Sequence, residues 1–509
     1  MEFETVIGLE VHAQLMTNTK IFCACSTEFN APPNSQVCPV CAGHPGSLPV
    51  LNEKVLEYAL KSALALHCKI EQKSIFARKN YFYPDLPKGY QISQYEQPFA
   101  KDGHLTIDVG GTPQKPELAT QKHIRIERIH MEEDAGKSMH MTGYTLVNLN
   151  RACTPIIEIV SCPDLRTSEE AGAYLRKLRA ILMYIEVCDG NMQEGSLRCD
   201  ANVSIRPKGE EKFGTRAEIK NLNSFRFLEK AVEYEVLRQT QVLQSGGRIV
   251  QETRTYDSAR NVTLSMRSKE EAHDYRYFPE PDLLPLVVLD EQLTKLQKML
   301  PELPDQKKDR YIKEFNIPAY DASVITSSKK LAEFFEKTVG VCGEPKIVSN
   351  WVMGELLRLL KEAEPEDLQP ELLRDVKTTG SNANPTKHKN MEDMSLKPQD
   401  LGDLIQLIKK GVISNNIAKT VFEEMMRTGA DPQTIVKEKN LTQVSDTATI
   451  EKVIAQIISS NPSQVAEWKA GKEKLFGFFV GQVMKQMQGK ANPATVNELL
   501  KKALGSSQE

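Results

Sequence analysis

The periodicity of the apolar residues changes near position 290 of this 509-residue chain. Before that point, runs such as Glu4–Leu15 and Asn202–Arg206 alternate apolar with polar residues and predict strands. Helical patterns interrupt these strands at Lys54–His67 and Ser168–Tyr184. After about Glu291 the apolar spacing is helical and strand signals are few. The sequence therefore predicts an α+β fold, with an N-terminal mixed α/β domain followed by all-α helical and tail domains.

A chain of this length exceeds what one hydrophobic core can hold, so we expect several domains. We predict domain boundaries that give residues 1–290, 291–440 and 441–509. The stretch 362–398 is rich in Pro, Glu, Lys, Asn and Thr, which favours a long solvated loop within the second domain. Helices are expected to finish the chain, and the last of them should begin at Asn492 with Pro493 in its first turn.

Charge and apolar content limit the partners and the compartment of the protein. A formal net charge of -3 gives no global electrostatic reason to bind nucleic acid, so any such contact must use local basic surface. The sequence contains no apolar run long enough to span a bilayer and no recognisable secretory leader, so we expect a cytoplasmic protein. The 10 cysteines then argue against a disulfide framework, and clustered cysteines indicate a metal.

Four of the cysteines form two close pairs, Cys23 with Cys25 and Cys38 with Cys41. Structural zinc takes a closed tetrahedral shell of four soft ligands, and two cysteines on one turn can present two sulfurs together. The prolines between the pairs keep the connecting loop non-helical. The pattern predicts a structural zinc site at these four residues, and the alternative is four buried or free thiols.

Polar residues alternate with apolar ones in several predicted strands, which places them on one face of a sheet. Glu10 and His12 share a face in the first strand, and Asp200 and Glu218 lie on the polar faces of two later strands. Such a face is often only the solvent-exposed side of a half-buried sheet. However, the run Glu132–Asp134 brings together three carboxylates, which repel one another unless they are solvated or neutralised by a cation. Carboxylates with an imidazole would suit Mg²⁺ or Mn²⁺.

Several other catalytic patterns are excluded. The segment Gly136–Ser138 resembles the end of a phosphate-binding P-loop, but Met131 stands where that motif needs a glycine. No HExxH zinc-protease motif occurs, and no Gly/Ser-rich segment resembles the Ser-Ser-Lys site of an amidase. We therefore expect that the chain cannot release ammonia from glutamine by itself.

Six dispersed segments carry a resemblance to a known family. They are Gly8–Leu15 (GLEVHAQL), Lys79–Gln97, His130–Lys137 (HMEEDAGK), Glu194–Asn202, Ala217–Phe225 and Asp274–Asp282. Together they resemble the B subunit of bacterial aspartyl/glutamyl-tRNA(Asn/Gln) amidotransferases, and they cover the first 290 residues densely. The helical remainder is similar to this family as well.

The resemblance implies a ligase that forms a carbon–nitrogen bond with glutamine as the amido donor. Such a B subunit works in a heterotrimer with an amidase A subunit, which supplies ammonia, and a small C subunit. It uses ATP and Mg²⁺ or Mn²⁺ to phosphorylate the side-chain carboxylate of Glu-tRNA(Gln) or Asp-tRNA(Asn). Ammonia then displaces the phosphate to give Gln-tRNA(Gln) or Asn-tRNA(Asn). The first domain would be a kinase-like catalytic cradle with the zinc knuckle, and the other domains would grip the tRNA.

The resemblance also implies roles for individual residues. The family's catalytic and metal-binding set falls on Glu10, His12, Glu132, Asp200 and Glu218. A polar channel for ammonia falls on Lys79, Lys88 and Glu133, although the two lysines could otherwise be plain surface lysines. The zinc cysteines are not universal in the family, and this chain keeps all four.

Two other classes of function compete with this interpretation. A non-catalytic RNA-binding scaffold would use the zinc site and the tail, but it would have no need of converging carboxylates. A free-standing ATP-dependent ligase would need its own ammonia source, which the missing amidase signature disfavours.

Overall fold

The computed structural model describes residues 2–111, 118–268, 275–363, 396–442, 447–472, 474–487 and 491–505. The chain divides into two compact units, Met1–Lys307 and Lys308–Glu509. The first unit combines a large sheet with helices, and the second is helical, which confirms the predicted α+β class. Most of the predicted loop 362–398 lies outside the described residues, and the boundary near 441 stays a prediction.

The first unit is built mainly from strands, with three helices between them. The strands are β1 (Phe3–Gln14), β2 (Lys69–Ile70), β3 (Lys73–Ser74), β4 (Ala77–Asn80), β5 (Tyr90–Ser93), β6 (Ala100–Val109), β7 (Thr120–Glu133), β8 (Lys137–Met141), β9 (Tyr144–Asn148), β10 (Pro155–Ser161), β11 (Leu197–Pro207), β12 (Ala217–Lys220), β13 (Glu252–Asp257), β14 (Val262–Ser268), β15 (Phe278–Pro279) and β16 (Leu286–Val287). The helices are α1 (Glu53–Ala65), α2 (Ser168–Tyr184) and α3 (Phe225–Gln244).

Nine of these strands form one sheet in the order β14-β13-β12-β11-β1-β10-β7-β6-β2. All neighbouring pairs are antiparallel except β12 with β13. The predicted strands at Glu4–Leu15 and Asn202–Arg206 are confirmed as β1 and β11. Sequence periodicity did not reveal β10, because the segment Pro155–Ser161 (PIIEIVS) is a short apolar run without alternation. That strand lies between β1 and β7 and is buried along its whole length.

One face of the sheet forms the hydrophobic core of the first unit. Ile7, Leu9, Val11 and Ala13 of β1 are buried on this face. Helix α2 packs on β6 and α3 packs on β11. Each helix begins at a side-chain cap, as when Thr167 accepts a hydrogen bond from the backbone N–H of Glu170. The alternation of β1 therefore leaves Glu10 and His12 on the opposite, polar face.

The helices that follow begin in the first unit and fill the second. They are α4 (Asp290–Met299), α5 (Pro304–Phe315), α6 (Ala319–Thr326), α7 (Lys329–Cys342), α8 (Pro345–Trp351), a π-helical turn (Val352–Leu356), α9 (Leu357–Ala363), α10 (Pro398–Lys409), α11 (Asn415–Thr428), α12 (Pro432–Glu438), α13 (Thr447–Ser460), α14 (Pro462–Lys469), α15 (Leu475–Gln486) and α16 (Pro493–Leu504). Helices α13 to α16 bury a separate apolar cluster that includes Ile454, Phe479 and Leu500. Asn492 caps α16 as the sequence predicted. In the described part of the chain, the helices are too short or too polar to cross a membrane.

Candidate active site on the polar face of the sheet

Strand pairing brings the predicted carboxylates onto one face. Glu10 of β1 is paired with Asp200 of β11, and His12 of β1 is paired with Glu158 of β10. Directly paired residues of antiparallel strands point to the same side of a sheet. These four side chains therefore share the face opposite the core, although β1 and β11 lie far apart in the sequence.

Strands β12 and β7 extend the same face in both directions. Glu218 of β12 is paired with Asn202, which has the same orientation as Asp200 in β11. On the other side, His130 of β7 is paired with Glu158, and Glu132 is paired with Ile156. The result is an acidic surface that crosses the adjacent strands β12, β11, β1, β10 and β7.

Two carboxylates and two imidazoles form a compact group at the β7 end of this face. His12 Nε2 lies 3.7 Å from Glu132 Oε1 and 3.4 Å from Glu158 Oε2. His130 Nε2 lies 3.6 Å from Glu132 Oε2 and 3.1 Å from Glu158 Oε2. Single ligand atoms of His12, Glu132 and Glu158 all lie within 4.8 Å of one another. A single divalent cation could contact all three, and this mixture of oxygen and nitrogen donors fits Mg²⁺ or Mn²⁺.

The buried charges of this group stabilise one another. Burial lowers the pKa of His12, but Glu158 and Glu132 outweigh it and raise the pKa above its usual value. Burial also lowers the pKa of His130, but Glu158 and Glu132 outweigh it and raise that pKa to about 9. Burial raises the pKa of Glu158, but His130 and His12 hold that pKa well below its usual range. Burial likewise raises the pKa of Glu132, but Lys79 and His130 outweigh it and lower that pKa. The two carboxylates are therefore anionic at neutral pH and favour positive charge beside them, which the protonated imidazoles supply and which a bound cation would supply in place of those protons.

The other end of the acidic face is organised around a lysine. Lys220 Nζ lies 2.7 Å from Asp200 Oδ2 and 2.9 Å from Glu218 Oε1. The hydroxyl of Thr253 donates a hydrogen bond of 2.9 Å to Glu218 Oε2. Lys220 thus neutralises part of the charge of the two carboxylates in the structure as it stands.

Glu10 lies between the two ends. Its Oε1 accepts a hydrogen bond of 2.8 Å from the Asn202 side-chain amide. Burial raises the pKa of Glu10, and the nearby charges of Glu158, Glu218 and Asp200 raise it further. A cation at either end of the face would relieve this repulsion.

The four paired cysteines form a second potential metal centre. The sulfurs of Cys23, Cys25, Cys38 and Cys41 all lie within 4.8 Å of one another. Cys41 Sγ lies 4.0 Å from Cys25 Sγ and 3.8 Å from Cys38 Sγ. Sulfurs around a tetrahedral zinc, with Zn–S bonds of about 2.3 Å, are about 3.8 Å apart.

Positive and polar groups also surround this cysteine cluster. The backbone N–H of Cys38 donates to Cys41 Sγ at 3.2 Å, and the fully buried Lys20 places its Nζ 3.6 Å from the same sulfur. Such donors stabilise thiolate ligands of a metal. The residues present therefore fit a structural zinc ion better than they fit four unrelated thiols.

Comparison of the sequence with known proteins identifies similar proteins along almost the whole chain. A model described as the GatB/GatE catalytic domain matches residues 5–294, and a second model, described as the GatB domain, matches residues 333–504. The chain is 55% identical over 505 residues to the B subunit of the aspartyl/glutamyl-tRNA(Asn/Gln) amidotransferase of Thermodesulfovibrio yellowstonii, covering 99% of this chain and 100% of that protein. It is 56% identical over 509 residues to the protein of the same name from Geotalea daltonii, covering 99% and 100%.

The chain belongs to the family of aspartyl/glutamyl-tRNA(Asn/Gln) amidotransferase B subunits. The family resemblance seen in the sequence motifs is therefore confirmed. The structure shows where each predicted catalytic and metal-binding residue of this chain lies. His12 and Glu132 meet in the compact group, Asp200 and Glu218 meet at Lys220, and Glu10 lies between these pairs. Their function as metal ligands stays a prediction.

Glu158 is the functional candidate that the sequence interpretation missed. It is 7% exposed and lies within the apolar strand β10. A lone carboxylate in the run Pro155–Ser161 is a usable signal, because a buried charge needs a partner or a cation. Lys220, two positions after Glu218, could have been found from the alternation that nominated Glu218.

The predicted channel residues fall on both sides of β7. Lys79 lines a cleft of about 340 Å³ together with His12, Glu132, Asp200 and Lys220. Glu133 follows Glu132 in the strand and so points to the other side, where its Oε2 lies 2.6 Å from Lys88 Nζ. The side chains of Lys88 and Glu133 are 7% and 1% exposed. Lys88 is thus not a plain surface lysine, while the conduction of ammonia stays a prediction.

Proposed function

We propose that this chain carries out the ATP-dependent activation and amidation of Glu-tRNA(Gln), Asp-tRNA(Asn) or both. The full-length relatives are named as the B subunit of an amidotransferase with these two tRNA specificities. The observation that carries the proposal is the convergence of His12, Glu132 and Glu158 beside the cleft that Lys79 and Lys220 line.

The chemistry requires an activated carboxylate, because ammonia cannot displace oxide from a free one. In the first step, a side-chain oxygen of the aminoacyl group attacks the terminal phosphorus of ATP, and ADP leaves. In the second step, the nitrogen of ammonia attacks the acyl carbon and the bond to the phosphate oxygen breaks. Phosphate leaves with one proton of the ammonia, and the side-chain amide remains.

The acidic face supplies what phosphoryl transfer needs, which is mainly positioning and neutralisation of charge. Mg²⁺ or Mn²⁺, when bound by His12, Glu132 and Glu158, would neutralise the charge that develops on the transferred phosphoryl group. Lys79 and Lys220 line the same cleft and place positive charge beside the reacting carboxylate. Asp200, Glu218 and Glu10 lie on the same face of the sheet and would hold a further part of the metal–nucleotide complex.

A second cleft on the same face is large enough for the nucleotide. It has a volume of about 670 Å³, and Glu10 and Asn202 are among the residues that line it. Val6, Val160 and Phe213 give it apolar walls, on which a base could pack. We assign the nucleoside of ATP to this cleft.

The ammonia is supplied by a partner amidase in this proposal, with a small third subunit completing the heterotrimer. Lys79, Lys88 and Glu133 offer polar groups along the proposed route from that partner. The zinc ion at Cys23, Cys25, Cys38 and Cys41 has a structural role, and the C-terminal helices contribute binding energy for the tRNA body.

The proposal is tested with the purified chain, alone and with its amidase and small subunits. Each mischarged tRNA is incubated with ATP and either ammonium chloride or glutamine, and uncharged tRNA is the control substrate. We expect release of phosphate and formation of the amide only with a mischarged tRNA, and glutamine to be used only when the amidase is present. A scaffold would show no ATP turnover in any mixture. A free-standing ligase would use glutamine without the partner.

A further inference from the structure

The cysteine knuckle, defined here as residues 23–43, lies directly against Lys88. Gly43 has a φ of +71°, and a methyl group in place of its hydrogen would come within 2.5 Å of Lys88 Cγ and 3.0 Å of Lys88 Cα. The end of the knuckle therefore forms the wall against which the Lys88 chain packs. Only glycine leaves room for Lys88 at this position.

Cys153 makes a second connection between the knuckle and Lys88. Lys88 Nζ donates to Cys153 Sγ at 3.6 Å, and the Cys153 thiol donates to the carbonyl oxygen of Cys41 at 3.8 Å. The backbone N–H of Ile21 donates to the Cys153 carbonyl at 3.1 Å. Cys153 thus bridges the last cysteine of the knuckle and the ammonium group that pairs with Glu133.

Lys20 attaches the knuckle to the segment that carries Cys153. Its buried Nζ donates to the carbonyl oxygens of Gln36 at 2.8 Å and Leu149 at 3.3 Å, besides its contact with Cys41 Sγ. Asn150 also accepts a hydrogen bond from the backbone N–H of Gln36 at 3.0 Å. These hydrogen bonds join the knuckle to the segment from Leu149 to Cys153, and Lys88 lies against both.

We propose that the cysteine knuckle is a positioning element for the Lys88–Glu133 ion pair. Four sulfurs held by one ion fix the turn from Cys38 to Gly43, and this turn confines Lys88 to Glu133. Without the ion, the turn loses this cross-link, and Lys88 gains room to leave Glu133. The consequence for delivery of ammonia rests on the proposed function; the confinement of Lys88 does not.

The confinement is tested on the full chain by the reactivity of Lys88 toward an amine-acylating reagent, measured by mass spectrometry. The variant is Gly43→Ala, and the matched control is Gly46→Ala. Gly46 also has positive φ, +82°, but a methyl group there would meet nothing within 4 Å. We expect acylation of Lys88 to rise several-fold in Gly43→Ala and in wild type treated with a zinc chelator, and to stay unchanged in Gly46→Ala.

Two further measurements separate confinement from general damage. Zinc content should be equal in Gly43→Ala and Gly46→Ala, because neither residue supplies a ligand. The thermal midpoint should be lower in Gly43→Ala, because only there does the added methyl group meet Lys88. If Gly43→Ala does not fold, Cys153→Ala serves instead, since it removes the thiol that bridges Cys41 and Lys88 while leaving the knuckle ligands in place. Equal acylation of Lys88 in the variant, the control and the chelated wild type would overturn the proposal.

The consequence for the reaction is tested in the heterotrimer by comparing amidation from glutamine with amidation from ammonium chloride. We expect Gly43→Ala to lower the glutamine-dependent rate several-fold more than the ammonium-dependent rate, and Gly46→Ala to lower neither. If wild type forms no amide from either source, the proposed function fails. If wild type forms amide and Gly43→Ala leaves the ratio of the two rates unchanged, the role of the knuckle in ammonia delivery fails.

Discussion

Replacing Glu158 with glutamine removes one charge from the centre of the acidic face while keeping its shape. Glu158 Oε2 lies 3.4 Å from His12 Nε2 and 3.1 Å from His130 Nε2. At an effective dielectric constant of about 20, a full charge pair at either distance is worth about 5 kcal/mol of attraction. Desolvation offsets much of this attraction, so breaking the buried group should cost the chain about 3 kcal/mol of folding free energy.

The position of Glu158 also predicts how Glu158→Gln changes the reaction. Without the Glu158 charge, a cation held by His12 and Glu132 loses one of its two anionic ligands. Removal of one preorganised group that stabilises transition-state charge costs about 3 kcal/mol, or about a hundredfold in rate. We therefore expect Glu158→Gln to form the acyl phosphate about a hundredfold more slowly and to bind Mn²⁺ more weakly.

The assay traps the acyl phosphate with hydroxylamine in the heterotrimer, and Mn²⁺ binding is measured by calorimetry on the same preparation. Glu57→Gln is the matched control, because Glu57 makes its ion pairs with Lys54 and Lys61 within helix α1, away from the acidic face. A Glu158→Gln complex with the trapping rate and Mn²⁺ affinity of wild type would refute the assignment. Unchanged Mn²⁺ affinity with a slow reaction would instead limit Glu158 to positioning its neighbours.

Four further predictions concern the other proposed sites. Asp200→Ala should slow acyl-phosphate formation by about a hundredfold or more, with glutamine hydrolysis by the partner amidase much less affected; a normal rate would exclude a role in the chemistry. Cys38→Ser should lower the zinc content and the thermal midpoint, and wild type without stoichiometric zinc would contradict that site. Phe213→Ala should raise the KM for ATP more than it lowers kcat, because Phe213 lines the cleft to which the nucleoside is assigned. A KM for ATP equal to that of wild type would contradict this assignment. Truncation after about Leu441 should raise the KM for tRNA and make that KM less dependent on salt, because the lysines of the tail no longer contact phosphates; a loss of kcat at saturating tRNA would reveal a role in chemistry.

Local sequence determined the parts of this protein that depend on near neighbours. Alternation in Glu4–Leu15 placed Glu10 and His12 on the polar side of a strand before any partner strand was known. The spacing of Cys23, Cys25, Cys38 and Cys41 was enough to predict a tetrahedral group of sulfurs, because each pair spans a single turn. The same is true of helix α2, whose cap and apolar spacing lie within one short segment.

Tertiary structure alone decided how these parts meet. The register of β10 against β1 places Glu158 opposite His12. The apolar run Pro155–Ser161 has no periodicity from which that pairing could be predicted. The contact of Gly43 with Lys88 likewise depends on two loops brought together by the fold. The physical reason is that strand register and loop packing are fixed by the burial of a whole core, a property of the entire sheet and its helices, whereas alternation and turn spacing are properties of a few consecutive residues.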